Sequence, residues 1–234
     1  MIVVAIIAII AAIAIPKLLS ARISANENAA IATLRSIAAA QQQFQAGSVV
    51  DTDADGGGEY GFFGELAGNA VLRGFDGTVA FMSANVLRPP FLATAFGDIN
   101  LSCVERQGYL YQIFLPGPGN AAVAVTGFAE LVGGGADAAI LASLDAANNE
   151  IFWCCYAWPQ QAMKTGNRAF FIDQEGDVIQ FVNQAQTYNG TAAASRPLFS
   201  DAYDNAVLLS MGEALGLGAL GNTANANIWT SVGN

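Results

Sequence analysis

Residues 1–15 read MIVVAIIAIIAAIAI and run directly into Pro16 and Lys17. The stretch carries no charged and no strongly polar side chain. An uninterrupted apolar run at the start of a sequence is typical of a signal-peptide core, a membrane anchor, or a helix buried against identical neighbours. At about 1.5 Å rise per residue it covers roughly 22 Å of a hydrocarbon core about 30 Å thick, so the run alone is short for a membrane span.

The flanks of this run do not fit a cleaved signal peptide. Such a peptide has basic residues before its apolar core and small residues at a cleavage site after it. Here the basic residues Lys17 and Arg22 follow the run, and the sequence continues into helix-forming residues without a break. We therefore expect the apolar run to be retained.

The spacing of apolar residues predicts one continuous amphipathic helix from Pro16 to about Phe44. The residues that recur at three- and four-residue steps, the spacing of one helical face, are Leu19, Ile23, Ala30, Leu34, Ile37, Ala38 and Gln41. Ala46-Gly47-Ser48 is expected to close the helix, with Gly47 in the left-handed conformation. Pro16 predicts a kink or local melting, because it lacks a backbone donor and clashes with the preceding turn.

Met1 to Pro16, followed by a basic residue and a helical stretch, resembles the N-terminal helix of type IV pilins and type II secretion pseudopilins. The resemblance implies a prepilin whose leader is removed by a dedicated peptidase on the cytoplasmic side. The family's mature start, an N-methylated phenylalanine followed within a few residues by a glutamate, does not precede Met1. We therefore expect the mature N-terminus to lie ahead of Met1, since a chain that truly began there would lack the peptidase site.

The resemblance also implies the partners and the location of the chain. The apolar segment would be an inner-membrane anchor before assembly and the core of a helical homopolymer afterwards, built with the prepilin peptidase and the assembly machinery. The polymer would be a cell-surface filament or, alternatively, a periplasmic pseudopilus. The residues expected in the filament core are Ile2, Val3, Ile6, Ile9, Ile10, Ile13, Pro16, Leu19 and Ile23.

Charge and composition restrict the function of the remaining residues. Residues 1–46 carry Lys17, Arg22 and Arg35 against Glu27, a formal charge of +2, so residues 47–234 must carry −12 to give the total of −10. An acidic head is expected to repel nucleic acid and anionic lipid surfaces. The absence of histidine from the sequence excludes imidazole-based catalysis and most zinc sites.

Beyond the helix, strand-like runs bounded by turn residues occur at 108–115, 150–158, 168–173 and 177–182, and the last two predict a hairpin across 174–176. A further short apolar run lies at 120–126, a helix is expected near 201–215, and a final strand near 228–232. The predicted fold is α+β, with the long helix (1–46) packed on an antiparallel sheet head (47–234) whose C-terminal region is rich in loops.

Three cysteines lie in the head, and export would place them in an oxidising compartment. We expect one bridge, between Cys103 and either Cys154 or Cys155, because adjacent strand residues point to opposite faces. The alternative is that all three are small buried hydrophobic residues.

The segment DTDADGGGEY (51–60) has carboxylates at alternate positions followed by glycines that permit a sharp turn. It predicts a calcium site made by Asp51, Asp53 and Asp55, completed by Glu59 or Glu65. A full EF-hand is excluded because Phe62 stands where the twelfth-position glutamate would be required. The alternative is a solvated acidic linker.

These observations predict a structural subunit that polymerises through its N-terminal helix. The alternative functions are a pseudopilin acting in protein export and a monomeric membrane-anchored binding protein. We expect no enzymatic activity and no required cofactor, because the sequence pairs no nucleophile with a base.

Overall fold

The apolar stretch and the amphipathic stretch after it form one helix, α1 (Ile2–Ala46), in the computed structural model of the chain. The structure describes residues 2–120, 122–204, 210–218 and 228–232. The second half of α1 packs on an antiparallel sheet, so the chain has the α+β fold expected from its sequence.

The buried positions of α1 recur at alternating steps of three and four residues, which places them on one helical face. They are Glu27, Ala30, Leu34, Ile37, Gln41 and Phe44, joined by Ala38 and Ala40. The predicted stripe is confirmed from Ala30 onward. Leu19 is exposed and Ile23 is half-buried, because at these residues α1 only borders the head and is not covered by it.

The helix continues through Pro16 without the local melting that the sequence predicted. Proline removes a single backbone donor, and helical residues on both sides carry the helix across it.

The C-terminal end of α1 is closed one residue later than predicted. Ser48, not Gly47, adopts the left-handed conformation, with φ of 43°. The amides of Ser48 and Val49 donate to the carbonyls of Gln45 and Phe44, over 2.9 and 3.5 Å. This is the bonding pattern of a Schellman motif, which satisfies the last carbonyls of a helix.

Ten strands occur in the described residues. Their bounds are β1 Val71–Phe75, β2 Ala80–Val86, β3 Ile99–Asn100, β4 Cys103–Arg106, β5 Tyr109–Pro116, β6 Gly127–Ala129, β7 Cys154–Pro159, β8 Arg168–Asp173, β9 Ile179–Val182 and β10 Trp229–Ser231. The first two form a separate hairpin. The other eight form an antiparallel sheet in the order β10-β9-β8-β7-β5-β4-β3, with β6 also paired to β5.

Short helices connect the strands. They are α2 (Phe63–Leu66), α3 (Ala138–Leu141) and α4 (Ala146–Asn149), with 3-10 turns at Thr94–Gly97 and Ala193–Ser195. The side chains of Asp137 and Asp145 cap α3 and α4 by accepting hydrogen bonds from first-turn amides.

Both faces of the large sheet are covered, so β5 and β7 are buried along their whole length. On β7, Cys155 and Ala157 belong to the core that also contains the buried face of α1. Cys154, Tyr156 and Trp158 point to a second core on the opposite face. The C-terminal region supplies Tyr188, Tyr203 and Trp229 to that second core, so its loops form a layer of the fold.

Most predicted strands are confirmed: β8 has the predicted bounds, β5 is shifted by one residue, and β7 and β9 are shorter than predicted. The hairpin predicted across 174–176 is formed by β8 and β9, with Phe170 opposite Gln180. The final strand appears as β10. The apolar run at 120–126 forms only an isolated bridge between Asn120 and Val123, and the strand β6 follows it. Part of the helix expected near 201–215 lies outside the described residues, and its described parts are turns and isolated bridges.

Candidate functional site

The first half of α1 is an apolar surface that the head does not cover. The expected filament-core residues Ile2, Val3, Ile6, Ile9, Ile10, Ile13, Pro16 and Leu19 are all exposed, and Ile23 is half-buried. The most apolar eighteen-residue window of α1 has a mean hydropathy of 2.8 and is 0% buried. By length and composition, α1 could cross a membrane.

A partly buried ion pair holds α1 to the sheet at the level where it meets the head. Glu27 accepts from Nε and Nη2 of Arg168 over 2.8 and 2.7 Å, and from the amide of Asn167 over 2.9 Å. Asn26, the residue before Glu27, donates to the carbonyl of Thr165 over 2.9 Å. Because these bonds fix α1 where it leaves the head, the apolar half projects from a defined base.

The acidic loop after α1 brings three of its predicted carboxylates together. Carboxylate oxygens of Asp51, Asp53 and Asp55 lie within 4.8 Å of one another. Asp51 accepts from the amides of Ala54 and Gly56, over 2.6 and 3.2 Å. Gly56 has φ of 96°, the left-handed turn that the motif predicted.

Glu59 does not complete this cluster, contrary to the sequence-based expectation, and neither does Glu65. Glu59 is 1% exposed and accepts from Nη1 of Arg73 over 2.7 Å and from the amide of Thr52 over 2.7 Å. Glu65 accepts from Nε of Arg73 over 3.0 Å. Both carboxylates are held inside the head because Arg73 is their counter-ion.

A carboxylate that sequence reasoning missed, Glu150, faces the acidic loop instead. Its Oε1 atom is buried and has no hydrogen-bond partner. A Cβ atom added at Gly57 would clash with this carboxylate, so the glycine leaves room for it. Burial, and then the charge of Asp55, raises the pKa of Glu150. No local pattern could have identified Glu150, because it lies 95 residues after Asp55 in the sequence.

These oxygens fit a hard cation. Calcium binds six to eight oxygen ligands and accepts irregular geometry. Three aspartates and Glu150 place negative charge around one loop, and the close approach of Glu150 to Asp55 is unfavourable unless a proton or a cation lies between them.

The predicted disulfide is not formed. Cys103, Cys154 and Cys155 are free and buried. Cys103 is on β4 and the other two are on β7, with β5 between these strands. Two strand spacings of about 4.8 Å exceed the Cα separation that a disulfide spans. The opposite orientation of Cys154 and Cys155 is confirmed, since they belong to different cores.

Two further buried carboxyl groups were not expected from the sequence. Glu130 is 2% exposed, and burial raises its pKa to about 8, although the amides of Gly64 and Gly135 donate to its Oε2. Burial likewise raises the pKa of Asp173, at the end of β8, to about 7. Each carboxyl group is mostly protonated only at pH values below its raised pKa, and neither joins the acidic loop.

Comparison of the chain with protein-family models, with curated proteins and with solved structures gives no match. The long apolar helix packed on an antiparallel sheet is compatible with a pilin-like architecture.

Proposed function

We propose that the chain is the structural subunit of a helical filament of the type IV pilus kind, and that it polymerises through the first half of α1. The observation that carries the proposal is the contrast within one helix. One face of residues 27–44 of α1 is buried against the head, whereas residues 2–20 are exposed or, at one position, half-buried.

Water is an unfavourable environment for this apolar surface. Its large exposed side chains are Ile2, Val3, Val4, Ile6, Ile7, Ile9, Ile10, Ile13, Ile15, Leu18 and Leu19. Removing such a side chain from water is worth about 1.5–3 kcal/mol, which gives a gross driving force of roughly 20 kcal/mol before the opposing entropy. A bilayer before assembly, and the same segment of neighbouring copies afterwards, would each supply that burial.

The resemblance extends the proposal to processing and location. A prepilin peptidase and an assembly machinery would act on the chain in the inner membrane, and the filament would then stand on the cell surface. The alternative is a pseudopilin that forms a periplasmic filament for protein export. A monomeric membrane-anchored binding protein is the third possibility, and its apolar segment would stay in the bilayer.

Electron microscopy of cells that produce the chain, and of the purified full chain, tests the proposal. We expect fibres, and we expect Ile6→Asp with Ile10→Asp to abolish them because two charges would enter the helical core. Leu198→Asp is the control, since Leu198 is 57% exposed on the head. Absence of fibres from the unsubstituted chain, or fibres that survive the helix substitutions, would contradict polymerisation through α1. Fibre length and location distinguish a surface pilus from a pseudopilus.

We also propose that the acidic loop binds calcium, with Asp51, Asp53 and Asp55 as ligands and Glu150 facing them. The free Oε1 of Glu150 supports this proposal. Bound calcium would neutralise the repulsion between Glu150 and Asp55 and would tie the loop after α1 to the end of α4.

A further inference from the structure

The base of the head carries a basic cleft where α1 enters it. The cleft, which we call the collar, has a volume of about 560 Å³ and lies between one face of α1 and the loop that joins β7 to β8. Its principal side chains are Leu19, Arg22, Ile23, Met163, Lys164 and Thr165. Its size is within the range of about 300–1,000 Å³ that is usual for small-molecule sites.

The charges of the collar differ from those of the head. Arg22 and Lys164 are exposed, and none of the described residues that line the collar is acidic. Of the carboxylates close to this region, Glu27 is paired with Arg168, whereas Glu105 accepts a hydrogen bond from Gln160 over 2.7 Å and keeps its negative charge. Acidic charges of the head that lie further away than the Debye length, about 8 Å at physiological ionic strength, are largely screened at this point.

The loop that carries Lys164 is held in an unusual conformation. Met163 has φ of 67°, which a non-glycine residue adopts only when its surroundings impose it. Thr165 and Gln161 bond each other through backbone and side chain, and Asn26 of α1 fixes the carbonyl of Thr165. Held in this way, the loop leaves Met163 52% exposed beside Leu19, which is 53% exposed. The collar therefore combines apolar side chains with two positive charges.

The position of the collar along α1 indicates which part of a bilayer it would face. Residues 2–19 of the helix cover about 27 Å, close to the hydrocarbon thickness of about 30 Å. With this segment in a bilayer, Arg22 and Lys164 stand at the depth of the phosphate groups. Leu19 and Met163 would then contact the upper acyl chains, and Lys17 can extend its ammonium toward the same layer.

We propose that the collar binds the headgroup of an anionic phospholipid, with Arg22 and Lys164 on the phosphate and Leu19, Ile23 and Met163 against the acyl chains. The inference rests on the proposed membrane anchoring of α1. It gives the acidic head a local attraction to anionic lipid, which its net charge alone would not predict. It also sets the height of the head above the bilayer before assembly.

Native mass spectrometry of the full chain in a neutral detergent tests the lipid site. We expect phosphatidylglycerol to bind at least tenfold more tightly than phosphatidylcholine, and the preference to weaken as salt is raised. Arg22→Gln with Lys164→Gln should lower the affinity for phosphatidylglycerol about thirtyfold, or roughly fivefold for each charge. Arg35→Gln with Arg88→Gln removes the same amount of charge at exposed positions outside the collar. This control should leave the affinity for phosphatidylglycerol unchanged.

Several outcomes would contradict the proposal that the collar binds an anionic phospholipid. Equal binding of the two lipids, or an equal loss in both double variants, would show that Arg22 and Lys164 do not form a site. Displacement of the lipid by an equal concentration of inorganic phosphate would show that the apolar contacts contribute nothing. Loss of fibres in the collar variant with its lipid preference retained would assign these charges to contacts between copies.

A separate measurement distinguishes this proposal from the anchoring on which it rests. The full chain is reconstituted with vesicles of phosphatidylcholine alone, and its incorporation is measured by flotation. Suppose that the chain enters these vesicles but shows no preference for phosphatidylglycerol in the micelle. That result would contradict lipid binding by the collar and would leave the proposed membrane anchoring by α1 standing. Failure of the chain to enter the vesicles would contradict membrane anchoring by α1, and with it the lipid site that depends on that anchoring.

Discussion

Arg73 donates from Nη1 to Oε2 of Glu59 over 2.7 Å, and neither side chain is exposed to solvent by more than 1%. The same guanidinium binds Glu65 through Nε over 3.0 Å. Burial opposes the charge of Arg73, but the carboxylates of Glu65 and Glu59 outweigh it and raise its pKa. One arginine on β1 thus neutralises part of the charge of two buried glutamates in the segment that follows the acidic loop.

Replacing Arg73 should destabilise the head strongly. Arg73→Met leaves Glu59 and Glu65 buried without a counter-ion, which costs about 3–5 kcal/mol for a broken buried pair. For a chain of this size, the midpoint of thermal unfolding should fall by roughly 6–20 °C. Near-ultraviolet circular dichroism of the full chain in neutral detergent measures this midpoint. Arg88→Met, at an exposed position, should shift the midpoint by about 2 °C or less, and equal shifts in the two variants would refute the role of the ion pair.

Stability should decrease as pH rises from about 5 to 8.5. Glu130 and Asp173 have pKa values of about 8 and about 7 in the folded chain, above their ordinary values of 4.5 and 3.8. Between the ordinary and the raised value the folded chain holds a proton that the unfolded chain has lost. Each group then lowers the free energy of unfolding by up to about 1.4 kcal/mol per pH unit.

Substitution of Glu130 tests the origin of this pH dependence. Glu130→Gln keeps an oxygen for the amides of Gly64 and Gly135 and removes the titration, so the slope between pH 5 and pH 7 should be about half as steep. Glu105→Gln, at an exposed position, should leave the slope unchanged. The interpretation fails if the thermal midpoint of the unsubstituted chain rises between pH 5 and pH 8.5.

The buried side chain of Gln41 joins α1 to the backbone of Gly61 by two hydrogen bonds. Its Nε2 donates to the carbonyl of Gly61 over 2.8 Å, and its Oε1 accepts from the amide of Gly61 over 2.9 Å. Gln41→Leu would leave both buried backbone groups unpaired, at about 1–3 kcal/mol each. We expect the thermal midpoint to fall by roughly 4–24 °C.

The adjacent Gln42 is a matched control because it is exposed on the same helix. Gln42→Leu should change the midpoint by about 2 °C or less. A fall in Gln42→Leu as large as that in Gln41→Leu would mean that the loss comes from the helix itself, not from Gly61.

The sequence predicted those parts of the fold that depend on local periodicity. The buried face of α1 follows from its three- and four-residue spacing, and the β8–β9 hairpin from two apolar runs around Gln174-Glu175-Gly176. The disulfide prediction failed because it required the strand order, which places β5 between the cysteines. The ion pairs of Arg73 could not be predicted, because nothing in its sequence neighbourhood marks two glutamates as its partners. The partnership of Glu150 with the acidic loop likewise depends on tertiary contacts that no sequence window contains.

The three cysteines should be unreactive in the folded chain. All are buried, and burial raises the pKa of Cys103 to about 11 and the pKa values of Cys154 and Cys155 well above their ordinary value. A maleimide at pH 7.5 should label no thiol in the folded chain and all three after denaturation without reductant. Ser36→Cys, on the exposed face of α1, should add one rapidly labelled thiol. One labelled thiol in the denatured chain would show that a bridge had formed.

Calcium should stabilise the full chain through the acidic loop. At about a hundredfold excess over the dissociation constant, an ion that binds only the folded chain adds about 2.7 kcal/mol, which corresponds to a rise of roughly 5–10 °C in the thermal midpoint. Asp53→Asn with Asp55→Asn should abolish the rise, because it removes two of the three charges that converge on the loop. Asp98→Asn with Asp177→Asn removes two exposed carboxylates elsewhere and should preserve the rise.

Glu150→Gln tests whether calcium acts only by relieving the repulsion between Glu150 and Asp55. If that were the whole effect, the variant in chelator would have a higher thermal midpoint than the unsubstituted chain in chelator. Calcium would then not raise the midpoint of the variant. Identical midpoints of the unsubstituted chain in calcium and in chelator would make the loop a solvated acidic linker.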